Sequence, residues 1–359
     1  MDAAALIPLP DTIPVSWGWF QLLLLLTFFL HLLCMNMMLG SAVILLVKQL
    51  RHPAQLPPAG RELAGHLPFL IAFAVNLGVA PLLFLQVLYG QFIYTSSILM
   101  GVYWLAVVAI LILAYGGAYL YNLKHDALGK RRNQLIILVT GGLVAIAFIF
   151  SNNMSMMLRP DTWPRYFDQP GGTLLNLADP TLLPRWLHFI TAAVATGGLY
   201  LAAGGRWRRL EPAAAAARVT EGMHWFVGAT SVQLGIGTWF FFSLPDHIRQ
   251  LFTGTSTLHT GLLLTGCLAA LISLGLGLAK RLWPTIGATI ATILIMVLIR
   301  DLVRRAYLAP YFSPDSLVVA PQYSPMVIFW LALLLGLGII AYMLRLALNA
   351  GKESGETPS

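Results

Sequence analysis

Long apolar runs, separated by short polar segments, dominate the pattern along this chain of 359 residues. A run of about 20 apolar residues is long enough to cross a lipid bilayer as a helix. Such runs occur at residues 17–47, 66–94, 98–122, 133–157, 185–204, 222–244, 257–279, 283–307 and 324–348. The pattern therefore predicts an all-α fold, a polytopic membrane helix bundle with about nine transmembrane helices.

Composition supports a membrane protein and argues against a nucleic-acid partner. Hydrophobic residues make up 58% of the chain and charged residues only 10%, whereas a soluble domain carries roughly a quarter charged residues. The net charge is +8, but the basic residues are confined to short segments between the apolar runs. That placement is typical of membrane topology and not of a nucleic-acid interface. The expected partner is the lipid bilayer.

The basic residues also predict the orientation of the chain. They follow every second predicted helix, and the positive-inside rule places such segments in the cytoplasm. The N-terminus is then outside and the C-terminus cytoplasmic, as nine spans require. We expect a single membrane domain over residues 1–348, long outer loops at 158–184 and 308–323, and a disordered cytoplasmic tail at 349–359. The residues that carry this argument are Lys48, Arg51, Arg61, Lys124, Lys130, Arg131, Arg132, Arg206, Arg208, Arg209, Arg218, Lys280, Arg281, Arg345 and Lys352.

Two histidines inside the apolar runs are candidates for binding a cofactor. His188 and His259 both lie near the predicted outer ends of their helices, so the two imidazoles should sit at similar depth. Two histidines at one depth, with small residues beside them, suit a heme held between helices by two axial nitrogens. Alternatively, each histidine hydrogen-bonds to a neighbouring helix, and the residues leave both interpretations open. The small residues are Ala192, Ala195, Thr196, Gly261 and Gly266.

His31, Asp301 and Arg304 are further candidates. His31 lies in the middle of the first predicted helix, and Asp301 is a carboxylate well inside an apolar run, where an ionisable group is costly. Asp301 could ligate a heme or pair with Arg304, which lies three residues further on the same helix face. The arginines beside Asp301 could equally bind heme propionates. No Cys-x-x-Cys-His motif occurs in the sequence, so any heme would be non-covalent.

Three stretches resemble helices of subunit I of the cytochrome bd quinol oxidases: HFITAAVATGG, FFLHLLCMNMMLG and NLGVAPLLFLQVLYGQF. The resemblance implies nine helices in two packed bundles, with the N-terminus outside and the hemes toward the outer face. It assigns His188 to the histidine that binds a low-spin heme b. It assigns His31 to the histidine that binds the oxygen-reducing heme.

The chain also departs from that family. Gln86 stands where the family has a glutamate, and His259 lies near the position of the methionine opposite the low-spin histidine, which implies bis-histidine ligation. The family motif E-x-G-R-Q-P-W falls on DLVRRAY, so that only Asp301 and Arg304 match. The long outer quinol-binding loop is reduced to SLPDHIRQLFTGTS.

These departures bear on function, because reducing dioxygen to water takes up four protons, whereas the apolar runs hold almost no acids. Gln86 cannot titrate. We therefore expect a heme b cytochrome of the bacterial inner membrane, a quinol-linked oxidoreductase or electron-transfer subunit. It would pass electrons between quinol and a periplasmic partner such as a c-type cytochrome, which would dock on the two outer loops, or it would work with a second membrane subunit.

In this interpretation His188 and His259 hold the low-spin heme, and His31, with or without Asp301, holds a second one. Gln86 and Arg304 shape the pocket or bind propionates. Two alternatives remain open. One is a terminal oxygen reductase subunit of the cytochrome bd type, and the other is a heme-free transporter or membrane anchor.

Overall fold

The computed structural model describes residues 3–207 and 210–353. These ranges form no β-strand, only an isolated bridge between Ile13 and Val319, so the predicted all-α class is confirmed. The α-helices are α1 (Trp17–Arg51), α2 (Pro58–Leu99), α3 (Gly101–Lys124), α4 (Arg131–Met157), α5 (Leu182–Trp207), α6 (Pro212–Ser243), α7 (Asp246–Gln250), α8 (Thr257–Leu278), α9 (Leu282–Leu308) and α10 (Tyr323–Glu353).

The helices are those of a multi-pass membrane protein. Within the described ranges, eight are long and apolar enough to cross a bilayer, and α6 makes a ninth if it is taken together with the segment Asp246–Thr255, which bends away by 116°. The predicted tail boundary at residue 349 falls inside α10, which continues to Glu353. The rest of the predicted tail, 354–359, lies outside the described residues, as do Arg208 and Arg209.

Two groups of helices pack side by side. The first contains α1, α2, α3 and α4, and the second contains α5, α6, α8 and α9. Glycines join the groups where α1 meets α5, because a Cβ on Gly40 would lie 1.9 Å from the carbonyl oxygen of Ala193. A Cβ on Gly197 would in turn overlap the backbone of Gly40. The two backbones can approach this closely only because both positions lack side chains.

Ion pairs connect the helices at the end predicted to be cytoplasmic. Lys48 on α1 pairs with Glu221 on α6, and Glu62 on α2 pairs with Arg218 on α6. Each pair brings together residues from different parts of the chain. They therefore hold the start of α6 against α1 and α2 of the first group.

The predicted outer end is covered by the long connections. In the 158–184 segment, Asp179 is buried and accepts hydrogen bonds from the hydroxyls of Ser155 and Thr181. The 308–323 segment pairs with the chain's N-terminal segment, where the amide of Ile13 donates to the carbonyl of Val318 at 2.9 Å. Both connections therefore form hydrogen bonds with other parts of the chain at this end of the bundle.

Candidate functional site

His31 on α1 is oriented by a backbone contact with α2. Its Nδ1–H donates to the carbonyl oxygen of Ala74 at 3.0 Å, so the lone pair of the neutral ring lies on Nε2. Gly78 provides space for the ring, since a Cβ there would lie 2.9 Å from Cε1 of His31. A histidine that binds a metal commonly donates its other ring N–H to a carbonyl in this way.

Arg300 on α9 lies beside His31. Its guanidinium carbon is 4.3 Å from the centre of the Phe28 ring, and that ring is 6.4 Å from the ring of His31. In the described part of the chain, Arg300 forms no ion pair with a carboxylate. This cation is therefore available to an anionic group next to His31.

Asp301 follows Arg300 but has a different environment. It is 5% exposed and pairs with Arg304, and its second oxygen accepts from Nε of Arg305 at 2.9 Å. The predicted alternative of an ion pair with Arg304 is thus present, and Arg305 adds a partner that the sequence argument missed. Arg304 also stacks over the ring of Tyr89 on α2, 4.8 Å from its centre.

His188 on α5 faces α6. The amide of Gln233 donates to its Nε2 at 3.3 Å, and a Cβ on Gly237 would lie 3.3 Å from its Cε1. The Nδ1 atom is buried and has no hydrogen-bond partner among the described residues. The lack of a side chain at position 237 therefore gives the imidazole ring its space, and the room expected for a heme beside the small residues of α5 stays a prediction.

His259 has a more local environment in the first turn of α8. Its Nδ1 and the hydroxyl of Ser256 share a hydrogen bond of 2.7 Å, and its ring packs edge-on against Phe252 at 5.1 Å. Gly266, expected to leave room for a ring, packs against α9, because a Cβ there would lie 2.9 Å from Met296. His188 and His259 have different neighbours, and their pairing across one heme stays a prediction.

Gln86 lies on α2 three residues before Tyr89, where the backbone departs from helical geometry with φ −136° and ψ 31°. Its side chain is partly buried and forms no hydrogen bond within the described ranges. The structure therefore places Gln86 near the kink beside Arg304, without assigning it a partner.

Arg185 is a site residue that the sequence argument missed. It lies in the first turn of α5, donates to the hydroxyl of Thr181 at 3.0 Å and stacks over Phe240 at 5.5 Å. A signal was present in the sequence, since an arginine three residues before His188 occupies the same helix face. Arg185 therefore places a guanidinium on the His188 side of α5, next to the outer connection 158–184.

Among the described residues, no three His, Cys, Asp or Glu side chains cluster as ligands for a bare metal ion. Paired or single histidines suit a heme instead, because the porphyrin supplies the remaining nitrogens. No protein-family model matches the chain, and a search of curated proteins finds no match either. The geometry above is therefore the basis for assigning a function.

Proposed function

We propose that this protein is a heme b membrane cytochrome that passes electrons between quinol and a redox partner outside the membrane. The observation that carries the proposal is the environment of His31. One ring nitrogen is fixed by the Ala74 carbonyl and the other carries the lone pair. Arg300 lies beside the ring, and no carboxylate of the described residues pairs with it. A bound heme would supply an iron that gains and loses one electron.

The orientation of the His31 ring suits a heme ligand, and the charge beside it suits a heme as well. A cation inside a membrane helix is costly unless it is paired. Arg300 meets this condition only if an anion joins it, and a heme propionate is a carboxylate of the right chemistry. Asp301 cannot fill that role, because its oxygens are already engaged by Arg304 and Arg305.

His188 fits a second heme less directly. Its Nδ1 is buried without a partner, but Nε2 accepts from the Gln233 amide. Gln233 would have to move before this nitrogen could bind iron. In the bis-histidine arrangement, the second axial ligand would come from His259 on α8.

Proton handling favours electron transfer over oxygen reduction. Asp301 is held by two arginines, so it offers no free carboxylate for carrying protons, and Gln86 cannot titrate. A one-electron exchange between hemes needs neither group. The terminal oxygen reductase is thus the second choice.

The proposal places the protein in a bacterial inner membrane, with a periplasmic redox partner. Arg185 contacts the outer connection 158–184 through the hydroxyl of Thr181. We expect a c-type cytochrome to dock on the outer connections, 158–184 and 308–323. Lipid surrounds the remaining helices.

A reduced-minus-oxidised absorption spectrum of the purified protein tests the proposal. We expect a heme b α-band that weakens in His31→Ala and His188→Ala but not in His224→Ala, a matched control whose histidine is exposed on α6. A band that survives both substitutions would overturn the ligand assignment. If the wild type, purified with heme supplied during growth, shows no such band, the cytochrome proposal is wrong. The heme-free transporter or membrane anchor is then the remaining alternative.

A further inference from the structure

A cleft opens at the end of the bundle opposite the outer connections. Its volume is about 680 Å³. One face of α2 forms most of its lining, at helical spacings of three and four residues. The lining residues are Gln55, Leu56, Pro58, Arg61, Glu62, Gly65 and His66.

Hydrogen-bonding groups lie at the inner part of this cleft. Nδ1 of His66 and the hydroxyl of Tyr200 on α5 share a hydrogen bond of 2.8 Å. Glu62, one turn earlier on α2, pairs with Arg218. An imidazole and a carboxylate side by side can donate to a carbonyl oxygen and accept from a hydroxyl.

The charges in the cleft decide between two kinds of ligand. Arg61 pairs with Asp126 at 2.5 Å, and Arg218 pairs with Glu62. Arg61 is the one lysine or arginine among the described lining residues, and it already has a carboxylate partner, so this lining offers no unpaired cation to a lipid phosphate. An uncharged ring that carries oxygen atoms suits the cleft better. Its oxygens can meet the polar groups, and its apolar faces can pack against Leu56, Pro58 and Gly65.

The cleft is also close to the candidate heme. His66 and Ala74 are on the same helix, and Ala74 is the residue that accepts from His31. Their separation of eight positions corresponds to roughly 12 Å along the axis of α2. A ligand at His66 would therefore lie about two helical turns from the residues that orient His31.

We propose that this cleft binds the head group of a quinone, with His66 and Glu62 as its polar contacts. The inference rests on the proposed function, because it supplies the quinone site for that electron transfer. A bound heme b would supply two electrons, one at a time, and water at the open end would supply two protons, so that a quinone held by His66 and Glu62 would become quinol. The reverse reaction returns the same electrons and protons.

Photolabelling of the full chain in lipid nanodiscs with an azido-ubiquinone analogue tests this site. In the wild type we expect the label between residues 52 and 66, displaced by decylubiquinone. Gly65→Phe should reduce labelling about tenfold. The cleft has space for this ring, because a Cβ at Gly65 would meet only Asn122, at 3.8 Å.

Gly116→Phe is the matched control, because Gly116 is exposed on α3 and has nothing within 4 Å of an added Cβ. It should label like the wild type. His66→Phe is a second variant and should lose labelling too. A label on the outer connections, equal labelling of Gly65→Phe and Gly116→Phe, or displacement by phospholipid alone would overturn the site.

The absorption spectrum of the same samples separates the two proposals. A heme band with labelling elsewhere rejects the cleft but leaves the cytochrome standing. Labelling in the cleft without any heme band rejects the cytochrome and leaves a quinone-binding protein.

Discussion

At the scale of single residues, the arginines of α9 differ in their contacts: two pair with a carboxylate, and one stacks on an aromatic ring. Arg304 is 5% exposed and shares Asp301 with Arg305, whereas Arg300 contacts the Phe28 ring. The two positions are one helical turn apart. Substitutions at them should therefore have different consequences.

Removing Arg304 should destabilise the fold. Arg304→Leu leaves a buried carboxylate with only Arg305, and breaking a buried pair from one side costs about 3 kcal/mol. The thermal midpoint of the purified protein should fall clearly. Arg300→Leu is the control, since it leaves no carboxylate unpaired. Equal midpoints for Arg304→Leu and Arg300→Leu would contradict the difference.

Arg300→Leu has its own expected effect if the cytochrome proposal is correct. Loss of the cation beside His31 should lower the heme content of the purified protein, because a propionate would lose its partner. The ratio of heme absorbance to protein absorbance measures this. Arg300→Lys keeps the charge and should retain more heme than Arg300→Leu; the same loss in both would argue against an electrostatic role.

At the scale of elements, the contact between α1 and α5 depends on missing side chains. Gly40→Ala should disrupt it, because the new Cβ would lie 1.9 Å from a carbonyl oxygen of α5 and overpacking of this kind costs about 3 kcal/mol or more. The expected result is a large loss of folded protein in size-exclusion chromatography. Gly116→Ala should be tolerated, since its surroundings are open.

A buried histidine in the connection between α3 and α4 should make the stability of the protein depend on pH. His125 is 2% exposed, its Nε2–H donates to Gln49 at 3.0 Å, and burial lowers its pKa below the ordinary value of 6.5, an effect that Asp126 partly opposes. The unfolded chain therefore binds a proton more readily than the folded one. Stability from this residue is complete above the ordinary pKa and declines as the pH falls below it.

Acidification should accordingly lower the thermal midpoint of the wild type more than that of His125→Gln. Midpoints at about pH 7.5 and about pH 5.5 measure the difference. His224→Gln, at an exposed position, is the control and should behave like the wild type. An equal drop in His125→Gln and the wild type would show that other groups determine the acid response.

At the scale of the whole molecule, the orientation in the membrane can be tested directly. A chain lacking Cys34 and Cys267 through serine substitutions can carry one new cysteine, introduced by Asp168→Cys or Lys130→Cys; both positions are exposed. A membrane-impermeant maleimide should label the Asp168→Cys variant in intact cells and the Lys130→Cys variant only after lysis. The opposite result would invert the predicted topology.

Periodic and compositional signals were enough to predict the helices. The transmembrane runs are long and strongly apolar, and the predicted start of α1 agrees with the structure, as does the end of α4. The start of α2 was placed too late, at 66 instead of Pro58. Its first two turns carry Arg61 and Glu62 at the bundle end, and a search for apolar runs stops at such charges.

Helical spacing also predicted some of the site. The pair of Asp301 and Arg304 follows from three residues of separation on one helix. The bond from His31 to Ala74, 43 positions away, does not follow from any local pattern. Neither does the contact of His188 with Gln233. Such partners depend on how helices far apart in sequence pack together.

The sequence by itself determined the membrane class, the helices and the polar residues inside them, because each depends on hydrophobicity and spacing along a local stretch of chain. Only the tertiary structure decided which of those residues have partners. It pairs Asp301 with Arg304 and places no described carboxylate against Arg300. It also commits Nδ1 of His31 to a backbone bond, so that Nε2 carries the lone pair. The physical reason is that charge compensation and ring orientation come from neighbouring helices, whose arrangement only the packed bundle defines.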